Sequence, residues 1–165
     1  YRIDNIDGFP KPEQHLPILI GAGQKRMLTL AGREADIVGI LTTSVASGTL
    51  SPDPAERLAS GVQQKLAWIR EGAGARFEQL ELSLIPSILL ADDRQARAEQ
   101  YIRDQRWDNI SVEQVLDMPS VFIGSVEQII AQMIARREQY GISYYVIADA
   151  LMETAAPIVA RLSGA

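Results

Sequence analysis

The sequence predicts an α/β fold made of consecutive β/α units, and three observations carry that reading. Apolar runs too short for helices alternate with stretches of helical period. The helical stretches begin and end on residues suited to those places. The composition, 47% apolar and 22% charged over 165 residues, is that of an ordinary globular domain with its own core. The predicted order is β-α-β-α-β-α-α-β-α, the pattern of right-handed parallel crossovers. Four such units fit an open doubly wound sheet or half of a (β/α)8 barrel, because a whole barrel takes about 250 residues.

Residues 1–16 hold Asp4, Asp7, Gly8, Pro10 and Pro12 without a period and read as loop. Residues 16–20 are a short apolar run bounded by Pro17 and glycines, as expected of a strand buried on both faces. Residues 25–35 place Met27, Leu28, Leu30 and Ala31 at amphipathic helical spacing. Residues 37–41 are a second buried strand, and 44–51 a loop of small residues. Asp53-Pro54-Ala55-Glu56 is a helix start, with a cap, Pro at the first position and Glu at the third. That helix runs through Val62, Leu66 and Ile69 and stops at Gly72 and Gly74. Residues 80–90 form a third strand, kinked at Pro86, since proline in mid-strand implies an edge or a bulge. Asp92 or Asp93 caps a helix reaching about Arg106, and residues 107–121 read as irregular or briefly helical. Ser125-Val126-Glu127-Gln128 is a capping box, and Gly141 closes the helix it opens. Residues 142–148 are a fourth strand and 151–162 the last helix. No linker divides the chain, so residues 1–165 are expected to be one domain.

Composition excludes several functions. The absence of cysteine removes disulfides, thiolate metal sites and cysteine nucleophiles, and fits a reducing, cytoplasmic setting. The formal charge is −5 and the 16 basic residues are scattered, so the basic face needed for nucleic acid is missing. The longest apolar stretch, residues 82–91, is about half a membrane span and gives no membrane segment. Asp92, Asp93 and Glu138 lack companions for a metal site.

The chemistry-bearing motif is the strand, glycine turn and helix start spanning Pro17 to Arg26. Gly21, Ala22 and Gly23 let a backbone approach an anion, and N–H groups at the helix start point toward it. A dinucleotide fingerprint needs Gly where Arg26 stands, and a P-loop needs a G-K-[ST] triplet that the chain lacks. Two readings stay open from the pattern: a phosphate cradle, or a turn whose glycines serve backbone angles alone.

Leu19-Ile20-Gly21-Ala22-Gly23, Arg26-Met27-Leu28 and the run from Leu30 to Gly39 resemble the fifth strand, helix and sixth strand of luciferase-like monooxygenases. They are most similar to the branch using the deazaflavin coenzyme F-420. Phe122 to Ile129 resembles that family's entry into its last long helix, and Tyr140 to Val146 the run into its eighth strand. The resemblance implies the C-terminal half of a (β/α)8 barrel, with the N-terminal half expected upstream of Tyr1. It implies a flavin- or deazaflavin-dependent oxidoreductase moving hydride between coenzyme and an organic substrate. An FMN-dependent monooxygenase of the same superfamily, or a non-catalytic module binding a phosphoryl ligand, are the alternatives. Gly21, Ala22 and Gly23, with Gln24 and Lys25, inherit the coenzyme-phosphate role; the family often has two successive glycines where Ala22 stands. No catalytic residue carries over, because the early strands normally line the reactive ring. The expected partners are a small organic substrate and, as an option, a second copy in a homodimer.

Thr42 and Thr43 fall at the end of the second strand, on the face where barrels bind ligands, and are candidate substrate-binding residues. Asp149 lies on that face too and doubles as a helix cap. His15, the single histidine, has no placed partner as a general base. Trp68 and Trp107 read as packing residues, and Tyr144 and Tyr145 as facing opposite sides of their strand.

Overall fold

The structure is a computed structural model that describes residues 11, 13–43, 45–46, 49–50 and 53–163. Most of the loop expected over 1–16, and part of that over 44–51, lie outside the described residues. Four strands form one parallel sheet: β1 (Leu19–Ala22), β2 (Ile37–Ile40), β5 (Glu81–Leu84) and β8 (Ile142–Tyr145), in the order β1-β2-β5-β8. Between them come β3 (Val45–Ala46) and β4 (Thr49–Leu50), a small antiparallel pair where a loop was expected. A second parallel pair joins β6 (Ser87–Leu90) to β7 (Val121–Gly124).

The helices are α1 (Lys25–Glu34), α2 (Ala59–Ala73), α3 (Arg94–Gln105), α4 (Val112–Leu116), α5 (Val126–Tyr140) and α6 (Met152–Leu162). Asp93 caps α3, and Ser111 and Ser125 make capping boxes at α4 and α5. Gly141, at φ +75°, closes α5 as the sequence suggested.

Strand order and helix placement decide between the two architectures open to the sequence. In a doubly wound sheet the order reverses at a switch point and helices cover both faces. Here the four strands follow one another in chain order without reversal. Ala22, Val38, Ile40, Leu82, Leu84 and Ile142 turn to one face and pack with Leu28, Leu66 and Ile69 of α1 and α2. Leu19, Gly21, Gly39 and Tyr144 turn to the other, where Leu19 is 48% and Tyr144 39% exposed. The fold is α/β and singly wound, as in one half of a (β/α)8 barrel.

Four expectations need correction. The first strand is not buried on both faces: it begins at Leu19, forms a sheet edge, and leaves Leu16, Ile18 and Leu19 exposed. The third strand is two strands. β5 pairs with β2 and β8, Ile85-Pro86 breaks the ladder, and β6 leaves to pair with β7. Residues 121–124 are a fully buried strand rather than part of an irregular stretch and helix lead. The helix expected from Asp53 is also divided: Asp53 caps a 3-10 turn, Pro54–Arg57, and α2 starts afresh at Ala59.

Candidate active site

Parallel pairing brings the carboxyl ends of β1, β2 and β5 to one edge, and the glycine turn lies there. Gly21 and Ala22 are still within β1, paired in register with Gly39 and Ile40. Gly23 makes the turn, and Gln24 is the extended residue before α1. Neither Gly21 nor Gly23 has a positive φ, so left-handed backbone angles are not what these glycines supply. Closeness is the reason at Gly23, where an added Cβ would stand 3.2 Å from the Leu41 carbonyl oxygen. At Gly21 an added Cβ would meet only the Gly39 carbonyl oxygen, at 4.0 Å. The space there belongs to a groove of about 180 Å³ lined by Gly21, Ala22, Gly23, Gln24, Met27, Leu41 and Thr43.

The start of α1 suits an anion. Its first-turn N–H groups have no acceptor within the helix, Gln24 provides no side-chain cap, and the first turn holds no acidic residue. The positive end of the helix dipole thus has no compensating cap or carboxylate within α1's own first turn. Lys25 contributes less than the sequence suggested. Its ammonium pairs with Glu71 of α2 at 3.1 Å, on the outer surface, with both side chains more than half exposed.

Lys65 of α2 was not singled out by the sequence. It is 3% exposed, and its Nζ donates to the Gly23 carbonyl at 2.7 Å and to Glu56 at 2.7 Å. The bond to Gly23 fixes the turn from the helix side, with its carbonyl turned toward Lys65. A legible signal existed: Lys65 lies three residues after Val62 and four before Ile69, on the apolar stripe of α2.

Thr42 and Thr43 follow β2 directly, Thr42 buried and Thr43 half-buried, and both border a cleft between β2 and β5. Leu41 and Thr43 border the glycine groove as well, so the two hollows adjoin. Asp149 begins a 3-10 turn before α6 and is exposed, its carboxylate accepting from the Ala150 N–H at 2.8 Å. His15 is at the opposite end of the sheet. It meets Asp36 at 3.0 Å, and Asp36 also accepts from the Ile18 N–H at 2.8 Å. That backbone bond, then His15, holds the Asp36 carboxyl below its usual range. The pair ties β1 to β2 at their amino ends, away from the glycine turn. Trp68 and Trp107 pack against separate cores. Tyr144 is exposed and Tyr145 largely buried, and burial pushes the Tyr145 phenol up to about 12. Among the described residues no group of three or more His, Asp or Glu is placed to hold a metal ion. Among the described residues no helix is long and apolar enough to cross a membrane.

No family profile matches the chain, and no curated protein does. Solved structures do. A coenzyme F-420 dependent tetrahydromethanopterin reductase from Methanopyrus kandleri superposes with a TM-score of 0.55 over 87% of this chain, at 13% identity. An F-420-dependent secondary alcohol dehydrogenase aligns over 84% of the chain with a TM-score of 0.47 and 13% identity, covering 44% of its own length. A long-chain alkane monooxygenase aligns over 87%, at 0.48 and 12%, covering 40% of its length. The chain spans about half of the reductase, 49% of its length. The likeness to the reductase establishes a shared fold: this chain has the α/β architecture of part of that enzyme.

Proposed function

We propose that the chain is the coenzyme-phosphate-binding part of a luciferase-like oxidoreductase that uses a deazaflavin or flavin. The observation that carries this reading is the uncapped start of α1 behind the Gly21–Gly23 groove, at the carboxyl ends of parallel strands. A helix start of that kind favours a phosphate group. The fold shared with an F-420 dependent reductase supports the same assignment.

The residues fit the phosphate end of such a coenzyme. The groove of about 180 Å³ has room for a phosphate and its link but not for a ring system. The N–H groups of Gln24 and Lys25 are the donors, and Gly23 keeps the backbone close. Lys65 holds the Gly23 carbonyl from the other side. When bound, the coenzyme supplies the hydride-transfer chemistry. The chain's part is to anchor one end of it so that the ring lies over the carboxyl edge of the sheet. Thr42 and Thr43 then border the space in which an organic substrate is held.

The test is a fluorescence titration of the full-length protein with F-420 and with FMN, repeated on Gly21→Val. The fold has space for that side chain, but the groove does not. Binding of one coenzyme below about 1 mM, an energy of roughly 4 kcal/mol, with clear weakening in the variant, supports the reading. Failure of both coenzymes to bind contradicts it.

A further inference from the structure

The cleft between the carboxyl ends of β2 and β5 has a volume of about 300 Å³ and, among the described residues, one cation lines it, Arg57. Arg57 ends the 3-10 turn capped by Asp53 and is half-buried. Its guanidinium carbon lies 5.7 Å from the ring centroid of Trp107. Trp107 is itself buried and set edge-on to Tyr101 at 5.4 Å between centroids. The ring thus restricts the arginine, and a guanidinium held against an aromatic face loses little further freedom when it binds.

Arg57 donates no hydrogen bond and joins no ion pair among the described residues, and its nitrogens are not sealed from solvent. Lys65 nearby is instead met by Glu56. Among the described residues no acidic one lines the cleft. The Thr42 and Thr43 hydroxyls also make no hydrogen bond to a described residue. The rest of the wall is Ile40, Leu41, Ile85 and Pro86, with Ser87, whose hydroxyl is already engaged with that of Tyr101 at 3.0 Å; Ile85 is 55% exposed. One preorganised cation, two hydroxyls and a hydrocarbon wall match an anion that carries an apolar body.

We propose that this cleft is an anion subsite in which Arg57, backed by Trp107, receives the carboxylate or phosphate of an organic ligand. Thr42 and Thr43 add hydrogen bonds, and Leu41, Ile85 and Pro86 cover the ligand's hydrocarbon part. The proposal rests on the function proposed above only in calling that ligand the substrate; the cleft's affinity for organic anions stands independently of the coenzyme.

Calorimetric titration of the full-length protein with octanoate, acetate and inorganic phosphate tests it. Octanoate or phosphate should bind with a Kd below about 10 mM. A preference for octanoate over acetate and phosphate identifies an apolar carboxylate; a preference for phosphate identifies a phosphorylated ligand. Arg57→Gln should weaken the preferred probe about tenfold or more, with Arg57→Lys intermediate because the planar fork is lost. Thr43→Val, which keeps the shape, should weaken it less. FMN or F-420 affinity should persist in Arg57→Gln, whereas Gly21→Val should lose the coenzyme and keep the probe, so the two readings fail separately. Absence of binding by both octanoate and phosphate, or unchanged affinity in a folded Arg57→Gln, overturns the subsite.

Discussion

Two charged residues outside the glycine motif fix the ends of the β1 and β2 ladder. Lys65 replaces water with two acceptors, one of them the Gly23 carbonyl, so its loss is felt at the turn as well as in the core. Lys65→Met should destabilise the protein by about 1–3 kcal/mol in urea unfolding, the range for charge-assisted hydrogen bonds, and should weaken coenzyme binding. At the other end, Asp36 has its pKa lowered chiefly by the Ile18 N–H, then by His15. A lowered folded-state pKa contributes stability above the unfolded value and loses it as pH falls through the folded value. Asp36→Asn should therefore melt at a lower temperature than the parent at pH 7, and the gap should close below pH 3.8, the unshifted aspartate value. A gap that does not narrow as pH falls below 3.8 would assign the effect to something other than the carboxylate charge. The glycine motif was legible because its residue types are unusual in a strand. Lys65 carries a local mark, its place on the apolar stripe of α2, but its partner Gly23 and the ring beside Arg57 lie far along the chain.

Elements were legible where their ends carry chemistry. The capping box at Ser125 and the glycine at 141 use local hydrogen bonds, which neighbouring residues specify. β7 lacked such marks: Val121–Gly124 is four residues, all buried, and its partner β6 is about thirty positions earlier. Pro86 was read as a kink, but the two halves of the run belong to different sheets, a fact that pairing alone decides. Gly72 shows how a helix can need a glycine away from its end. It lies inside α2, and Gly74, at φ +54°, is the terminator. An added Cβ at Gly72 would run into the Thr29 backbone of α1, and one at Gly32 into Ile69 of α2, so the two glycines let the helices approach closely. Gly72→Ala, favourable on helix propensity alone, should instead destabilise by about 1–3 kcal/mol through overpacking. A shift of the urea midpoint to lower concentration checks it; a more stable variant would show that the helices part at no cost.

For the whole molecule, the side of the sheet away from the helices sets its behaviour. β1 and β8 are the two edges of the four-stranded sheet, and the open face carries Leu19, Tyr144 and, beyond the strand ends, Ile85 and Val146, all at least 39% exposed. Unpaired edges beside exposed apolar surface favour association. A protein made of residues 1–165 alone, of 18.1 kDa, should sediment above that mass at tens of micromolar, an expectation of the order seen for exposed strand edges. A stable monomer that binds no hydrophobic dye would contradict the account of the open face. The singly wound architecture was open in the sequence beside a doubly wound one, since β/α alternation is common to both. Only the strand order and the bare face separate them. The most direct test of the central claim follows the backbone amides at the carboxyl edge by nuclear magnetic resonance while FMN or F-420 is added to the full-length protein. The account predicts that the Gly23, Gln24 and Lys25 amides shift first and furthest, and that inorganic phosphate moves the same three more weakly. Coenzyme binding that leaves those three amides in place would contradict it.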